Sequence, residues 1–241
     1  MSAKYKYLFG PVPSRRLGRS LGIDVTPFKT CSFDCIFCQC GCTTTHAAER
    51  GEFVPFDEVC AELEKWLAED GAADYITFAG SGEPTLYSRL GELIDFIKAR
   101  TDIPLIVLSN GTLLHQPEVR EETAKADIVK VSLSAWDDES FQTINRPAPG
   151  LLFETMKTGE QNFRNQFAGE LWLEVFLMQG VNAEPEQETD RGDCRNDCAG
   201  QDSPQYGGAS ARRGRGAARH QRKVGGFLQA VLPAGRGARL V

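Results

Sequence analysis

Apolar residues along the chain keep two rhythms that alternate. Phe56, Val59, Cys60, Leu63 and Leu67 recur at helical intervals, with Pro55 and Asp57 where the run begins, which predicts a helix with one apolar face. Asp74–Phe78 (DYITF) reads as a strand and breaks at Gly80-Ser81-Gly82-Glu83-Pro84, a cluster of turn formers. Leu90, Leu93, Ile94 and Ile97 then share one helical face, and Pro104–Leu108 is a strand running into Ser109-Asn110-Gly111. A short helix near Gln116–Lys125 leads to a strand at Ile128–Leu133. Helical patterns around Asp137–Ile144 and Leu151–Phe167 precede a fifth strand, Leu171–Met178; the first of the series is Leu21–Val25.

Strands that alternate with helices, and are too continuously apolar to have a wet face, indicate an α/β fold with a parallel sheet and helices outside it. Right-handed crossovers leave an open doubly wound sheet or a full or partial barrel. Active sites of such folds lie at the carboxyl ends of the strands. Ahead of the first strand, Gly10, Pro11 and Pro13 exclude a helix, and Arg15, Arg16 and Arg19 form a basic knot. That segment is either a solvated lead-in loop or an anion site for phosphate or RNA.

The pattern stops near Glu184. From Asn182 to Lys223 the one large apolar side chain is Tyr206; no isoleucine follows Ile144, and no glutamate follows Glu188. Such a stretch buries too little to offset its ordering entropy. Three parts result: a basic lead-in (1–20), a core (21–183) and an anomalous tail (184–241). The tail is either a disordered basic segment for an acidic partner or the product of a reading-frame slip near Glu184, the reading preferred here. Cys194 and Cys198 fall in that tail and are read as chance.

Charge follows the same division. The net −6 combines residues 1–185, with 17 Lys+Arg against 27 Asp+Glu, and residues 186–241, with 10 against 6. Excess acid over the core argues against broad nucleic-acid affinity. The opening residues carry no apolar leader and no run has the length of a membrane span. Eight cysteines in such a chain point to a reducing cytoplasm, where clustered thiols mean metal or redox chemistry rather than disulfides.

Cys31-Ser-Phe-Asp-Cys35-Ile-Phe37-Cys38 carries the strongest chemical signal. Three thiolates this close cannot fill a tetrahedral site, but can hold three irons of a 4Fe–4S cubane and leave one open. Structural zinc is the alternative, with Cys40 or Cys42 completing a set. Glu83 in the Gly80-Ser81-Gly82-Glu83 turn is a natural acceptor for an ammonium in a dry site. Ser109, Asn110, Ser132 and Ser134 stand at strand ends, where small polar groups also cap helices. Asn145-Arg146-Pro147 is either a helix stop or a substrate contact. His46 has no ligand role, and Cys60 belongs to the core.

CxxxCx(aromatic)C resembles the fingerprint of the radical S-adenosylmethionine (SAM) enzymes. The lead-in GPVPSRRLGRSLG (residues 10–22) is similar to that of a subgroup of Fe–S oxidoreductases near the wyosine-type tRNA-modifying enzymes. The resemblance implies a partial (β/α)6 TIM-like barrel, here with the sixth strand missing or scrambled. It also implies a cluster on Cys31, Cys35 and Cys38 with SAM on the open iron, and Phe37 beside the adenine. Gly80, Ser81, Gly82 and Glu83 would meet the methionine part of SAM, and Ser109, Asn110, Ser132 and Ser134 its ribose and carboxylate. An external electron donor of flavodoxin or ferredoxin type, and a substrate such as a tRNA or a protein, are implied with it; an unfinished barrel would make the chain an inactive fragment.

Translating the other two frames of the coding DNA from codon 184 onward tests the slip. One frame is expected to encode an amphipathic helix followed by a strand; finding neither in both frames refutes it.

Overall fold

A computed structural model describes residues 4–14, 16–178 and 181–182, and the backbone of 238–240. In chain order the elements are β1 (Leu8–Ser14), β2 (Gly18–Ile23), β3 (Thr30–Cys31), β4 (Thr45–His46), α1 (Phe56–Glu69), β5 (Tyr75–Phe78), α2 (Leu90–Lys98) and β6 (Leu105–Ser109). They continue as α3 (Pro117–Thr123), β7 (Ile128–Ser132), α4 (Asp138–Ser140), α5 (Phe153–Gln166), β8 (Glu170–Glu174) and β9 (Ala238–Leu240). The main sheet runs β1-β2-β5-β6-β7-β8-β9, while β3 and β4 form a separate parallel pair. From β2 to β8 every neighbour is parallel, as the alternation of strands and helices predicts.

The lead-in is not a loop. It forms β1, antiparallel to β2 at the sheet edge, with a bulge between Phe9 and Val12. Proline is tolerated on an edge strand, where a missing N–H leaves no ladder bond broken; that is why Pro11 and Pro13 exclude a helix without excluding a strand. Next to β8, where a missing or scrambled strand is expected, the backbone of β9 pairs in parallel from Leu171↔Ala238 to Leu173↔Leu240. Arg15 and the rest of the tail, Cys194 and Cys198 included, lie outside the described residues.

The two faces of the sheet differ. Leu21, Ile76, Val107, Val129 and Leu173 point to the helices and join the large core with Val59, Leu63, Trp66, Leu93 and Phe163. On the other face a small cluster of Leu17, Ile106, Ile128 and Trp172 gives way, toward the strand ends, to Thr77, Lys130, Ser132 and Glu174. Ser20 Oγ lies 2.6 Å from Thr77 Oγ1, Lys130 pairs with Glu174, and Arg16 Nη1 is 3.4 Å from Glu174 Oε1. No residue of β5 to β8 is exposed on either face, as expected, although the second face carries polar side chains. No helix among the described residues is long and apolar enough to cross a membrane.

β8 stops at Glu174, short of the expected Met178, because side chains take over the backbone donors. Phe176 N donates to Ser134 Oγ at 3.2 Å and Met178 N to Asn182 Oδ1 at 2.6 Å. Asn182, which is buried, returns its own Nδ2 to Ser134 O and Phe176 O. One side chain thus pins the exits of β7 and β8 together.

Arg50 ties the turn after β5 to α3: Nε donates to Thr85 O at 3.0 Å, Nη2 to Tyr87 O at 2.9 Å, and the guanidinium pairs with Glu122. Arg50→Met is expected to cost about 3–5 kcal/mol in urea unfolding, because it strands a partly buried carboxylate. Arg50→Lys is expected to recover only part of that, since a lysine cannot make the forked contact. On α5, Glu160 is buried with neither oxygen bonded among the described residues, and burial pushes its carboxyl up to about 8 from 4.5. The folded protein then holds a proton that the unfolded chain releases, so stability should fall as pH rises between these two values, by about 1.4 kcal/mol per unit at most. Denaturation at a series of pH values checks this, with Glu160→Gln expected to flatten the slope.

Candidate metal centre

Cys31 ends β3, and Cys35 and Cys38 follow in a loop with no regular structure. What holds the loop is the end of a π-helical turn, Phe141–Asn145, and the residues that follow it. Asp34 N donates to Asn145 O at 3.0 Å, Ile36 N to Ile144 O at 3.0 Å, and Ala148 N to Ser32 O at 2.8 Å. Arg146, left-handed at φ 45°, sets its Nη1 3.5 Å from Asp34 Oδ2. Phe33 enters the core edge-on to Phe141, ring centres 5.3 Å apart. Asn145-Arg146-Pro147 is therefore the strip on which the cysteine loop lies, a role beyond either alternative in its sequence.

Each of the three sulfurs faces an N–H donor. Asn110 Nδ2 is 3.6 Å from Cys31 Sγ and Phe33 N 3.5 Å from it. Asn145 Nδ2 is 3.4 Å from Cys35 Sγ, and Lys29 Nζ 3.1 Å from Cys38 Sγ. Cys40 behaves oppositely: its thiol donates to Gly80 O at 3.7 Å. Burial pushes the Cys31 and Cys35 thiols up to about 12, so the bare thiolates are disfavoured. A cation or cluster that binds thiolates supplies the missing compensation. Among the described residues no group of three His, Cys, Asp or Glu side chains is drawn together at metal-binding distances. The donor set nonetheless fits sulfurs that act as acceptors, which metal-bound thiolates are and thiols are only weakly. Cys31, Cys35, Cys38 and Cys40 are all free thiols.

The turn after β5 is laced to the segment before the cysteines. Lys29 N donates to Ser81 O at 3.2 Å and Glu83 N to Thr30 O at 3.1 Å. Asp24 Oδ2 accepts from Ser81 N at 2.9 Å and Ser81 Oγ at 2.8 Å. A Cβ on Gly80 would sit 2.1 Å from Asp24 Cγ, and one on Gly82 2.1 Å from Thr30 O. Both glycines are required by this close approach.

Glu83 points inward and is 2% exposed. Its Oε1 accepts from Thr85 N, Thr85 Oγ1 and Ser109 Oγ at 3.1, 2.6 and 2.8 Å, and its Oε2 from Asn110 N at 2.7 Å. Burial pushes its carboxyl up, and these hydrogen bonds pull against it. Through Asn110, whose Nδ2 also reaches Ser32 Oγ at 2.8 Å, Glu83 is two bonds from Cys31.

The structure thus gathers Cys31, Cys35, Cys38, Glu83, Ser109 and Asn110 into one bonded group. Ser132 and Ser134 join a different one. Ser132 Oγ lies 3.5 Å from Glu174 Oε2, and Ser134 Oγ accepts from Phe176 N. Phe37 links the groups by stacking on Phe176, centres 4.7 Å apart and planes at 11°. Sequence reasoning missed Asp24 and Lys29 as members of the site, and offered Asn145 only as a helix stop or a substrate contact. A lysine two residues before the first cysteine was the visible signal for Lys29; nothing local marks Asp24.

A family model described as "Radical SAM superfamily" matches residues 25–191. A UPF0026 protein of Synechocystis is 40% identical over 180 residues, covering 74% of this chain and 67% of its own. One from Methanocaldococcus jannaschii is 35% identical over 175 residues, covering 72% and 54%. A protein named GTPase Obg from Brachyspira hyodysenteriae is 46% identical over 184 residues, which are 76% of this chain and 27% of that protein. The chain thus spans about a quarter to two thirds of the length of these curated relatives. Among solved structures, that of TYW1 with a lysine-pyruvate adduct bound superposes with a TM-score of 0.53 at 20% identity, over 70% of this chain and 59% of that one; the likeness is one of fold.

Proposed function

The chain belongs to the radical SAM superfamily, and from that premise we propose that Cys31, Cys35 and Cys38 hold three irons of a 4Fe–4S cluster, with SAM on the fourth. The observation that carries this is the opposed hydrogen bonding of the cysteines: three sulfurs faced by donors, and Cys40 acting as a donor itself. When bound, the pair would supply reductive cleavage of SAM to methionine and a 5′-deoxyadenosyl radical able to take hydrogen from a substrate.

The protein's own part is orientation and exclusion of water. Glu83 is the proposed acceptor for the SAM ammonium, through Oε2, which takes one hydrogen bond where Oε1 takes three. Gly80, Ser81 and Gly82, fixed by Asp24 and Thr30, are the proposed wall along the methionine part; Ser109, Asn110, Ser132 and Ser134 are the proposed polar lining for ribose and carboxylate. Phe37, backed by Phe176, is the ring proposed beside the adenine. The substrate, a tRNA or a protein on the sequence reading, would approach the helix-free face where Lys130, Glu174 and Arg16 meet. A reductant of flavodoxin or ferredoxin type would supply the electron.

Anaerobic reconstitution with iron and sulfide tests the reading. The native chain is expected to turn brown, bind about four irons and cleave SAM under dithionite. Single Ser variants of Cys31, Cys35 and Cys38 should lose the colour, and Cys40→Ser should keep it. Stoichiometric zinc without iron uptake would defeat the proposal.

A further inference from the structure

Lys29 is among the largest fully buried side chains of the protein. Its backbone is left-handed at φ 57° and fixed on both sides: its N–H is bonded to Ser81 O, and its carbonyl accepts from Thr44 N and Thr45 N, each at 3.1 Å. A β-unbranched, non-glycine residue pays for that conformation, and what it gains is a side chain sent inward to Cys38. Nζ stops 3.1 Å from Cys38 Sγ. Among the described residues no carboxylate pairs with it; the ion pairs all involve other cations. The same charge also acts on Cys31 and Cys35, favouring their ionised forms.

A buried ammonium without a counter-charge is costly. The anion that fits this place is a cluster on the three thiolates. A 4Fe–4S core with three thiolates carries one net negative charge, and two after it accepts an electron. A fixed cation at a ligand sulfur is attracted to both states and more strongly to the reduced one. It therefore favours reduction, by charge and by the N–H···S hydrogen bond, both recognised levers on cluster potential.

We propose that Lys29 is the residue that sets the reduction potential of the cluster in this chain, by holding its ammonium against Cys38 Sγ from a buried, left-handed position. This rests on the cluster assignment to Cys31, Cys35 and Cys38. Neutral packing and lysine's charge are separable: methionine keeps the chain length, and arginine keeps the charge.

The test is an EPR-monitored redox titration, without SAM, of the reconstituted native chain and of Lys29→Met, Lys29→Gln and Lys29→Arg, with iron content and thermal unfolding measured on each. Lys29→Met and Lys29→Gln are expected to bind iron as the native chain does and to be at least tenfold harder to reduce, which is about 59 mV for one electron. Lys29→Arg should stay within threefold of native. A neutral variant that binds iron with an unchanged potential overturns the proposal, and so does one that changes SAM affinity alone. If Lys29→Met fails to fold, Lys29→Gln carries the comparison, and if neither neutral variant folds, the role is structural and the proposal fails. Failure of the native chain itself to bind iron would strike the cluster assignment instead, which keeps the two readings apart.

Discussion

Three half-buried cysteines whose sulfurs face hydrogen-bond donors are what the rest of this structure serves. The cysteine loop has no helix or strand of its own to keep it in place, so its shape is borrowed. The 144–148 strip supplies backbone bonds from one side, and the Ser81–Glu83 turn, through Lys29 and Thr30, braces its entry from the other. Each side-chain amide or ammonium that reaches a sulfur comes from a different element: Asn110 from the end of β6, Asn145 from the turn after α4, Lys29 from the run into β3. A buried polar network of this kind is costly when half satisfied and specific when complete.

The sheet makes that convergence possible. Parallel strands deliver their carboxyl ends to the same edge, so that residues far apart in sequence meet there without long connections. Glu83 follows β5, Asn110 follows β6 and Ser134 follows β7, and all are linked by short hydrogen bonds to a neighbouring strand exit. The apolar positions on the helix side provide the stability. The polar positions on the opposite side pair locally, Thr77 with Ser20 and Glu174 with Lys130 and Ser132.

Much of this is legible in the sequence, and the boundary of what is legible has a physical reason. The helices at Phe56–Glu69 and Leu90–Lys98 and the strands from Tyr75 to Ser132 follow from apolar spacing alone, because burial on one face sets that spacing. The trio of cysteines follows from their spacing as well. The lead-in was misjudged because proline excludes a helix everywhere but a strand only in the interior of a sheet, and edge position is not a local property. Glu83 stands out in the sequence as part of a turn, yet its inward bonds to Thr85, Ser109 and Asn110 depend on where β6 ends. Asn145 gave a local signal, helix termination before Pro147, that concealed its long-range one.

The donors to the three sulfurs also differ in when they come into existence. Lys29 lies 9 positions before Cys38, whereas Asn110 lies 79 positions after Cys31 and Asn145 110 positions after Cys35. A ribosome that has released the first hundred residues has released every ligand candidate and one of the three side-chain donors. The pocket is completed only after the turn beyond α4 has emerged, so an ion captured earlier by the nascent loop would meet bare thiols with no selective surroundings. The side-chain donors to Cys31 and Cys35 are thus the last parts of this pocket to be synthesised.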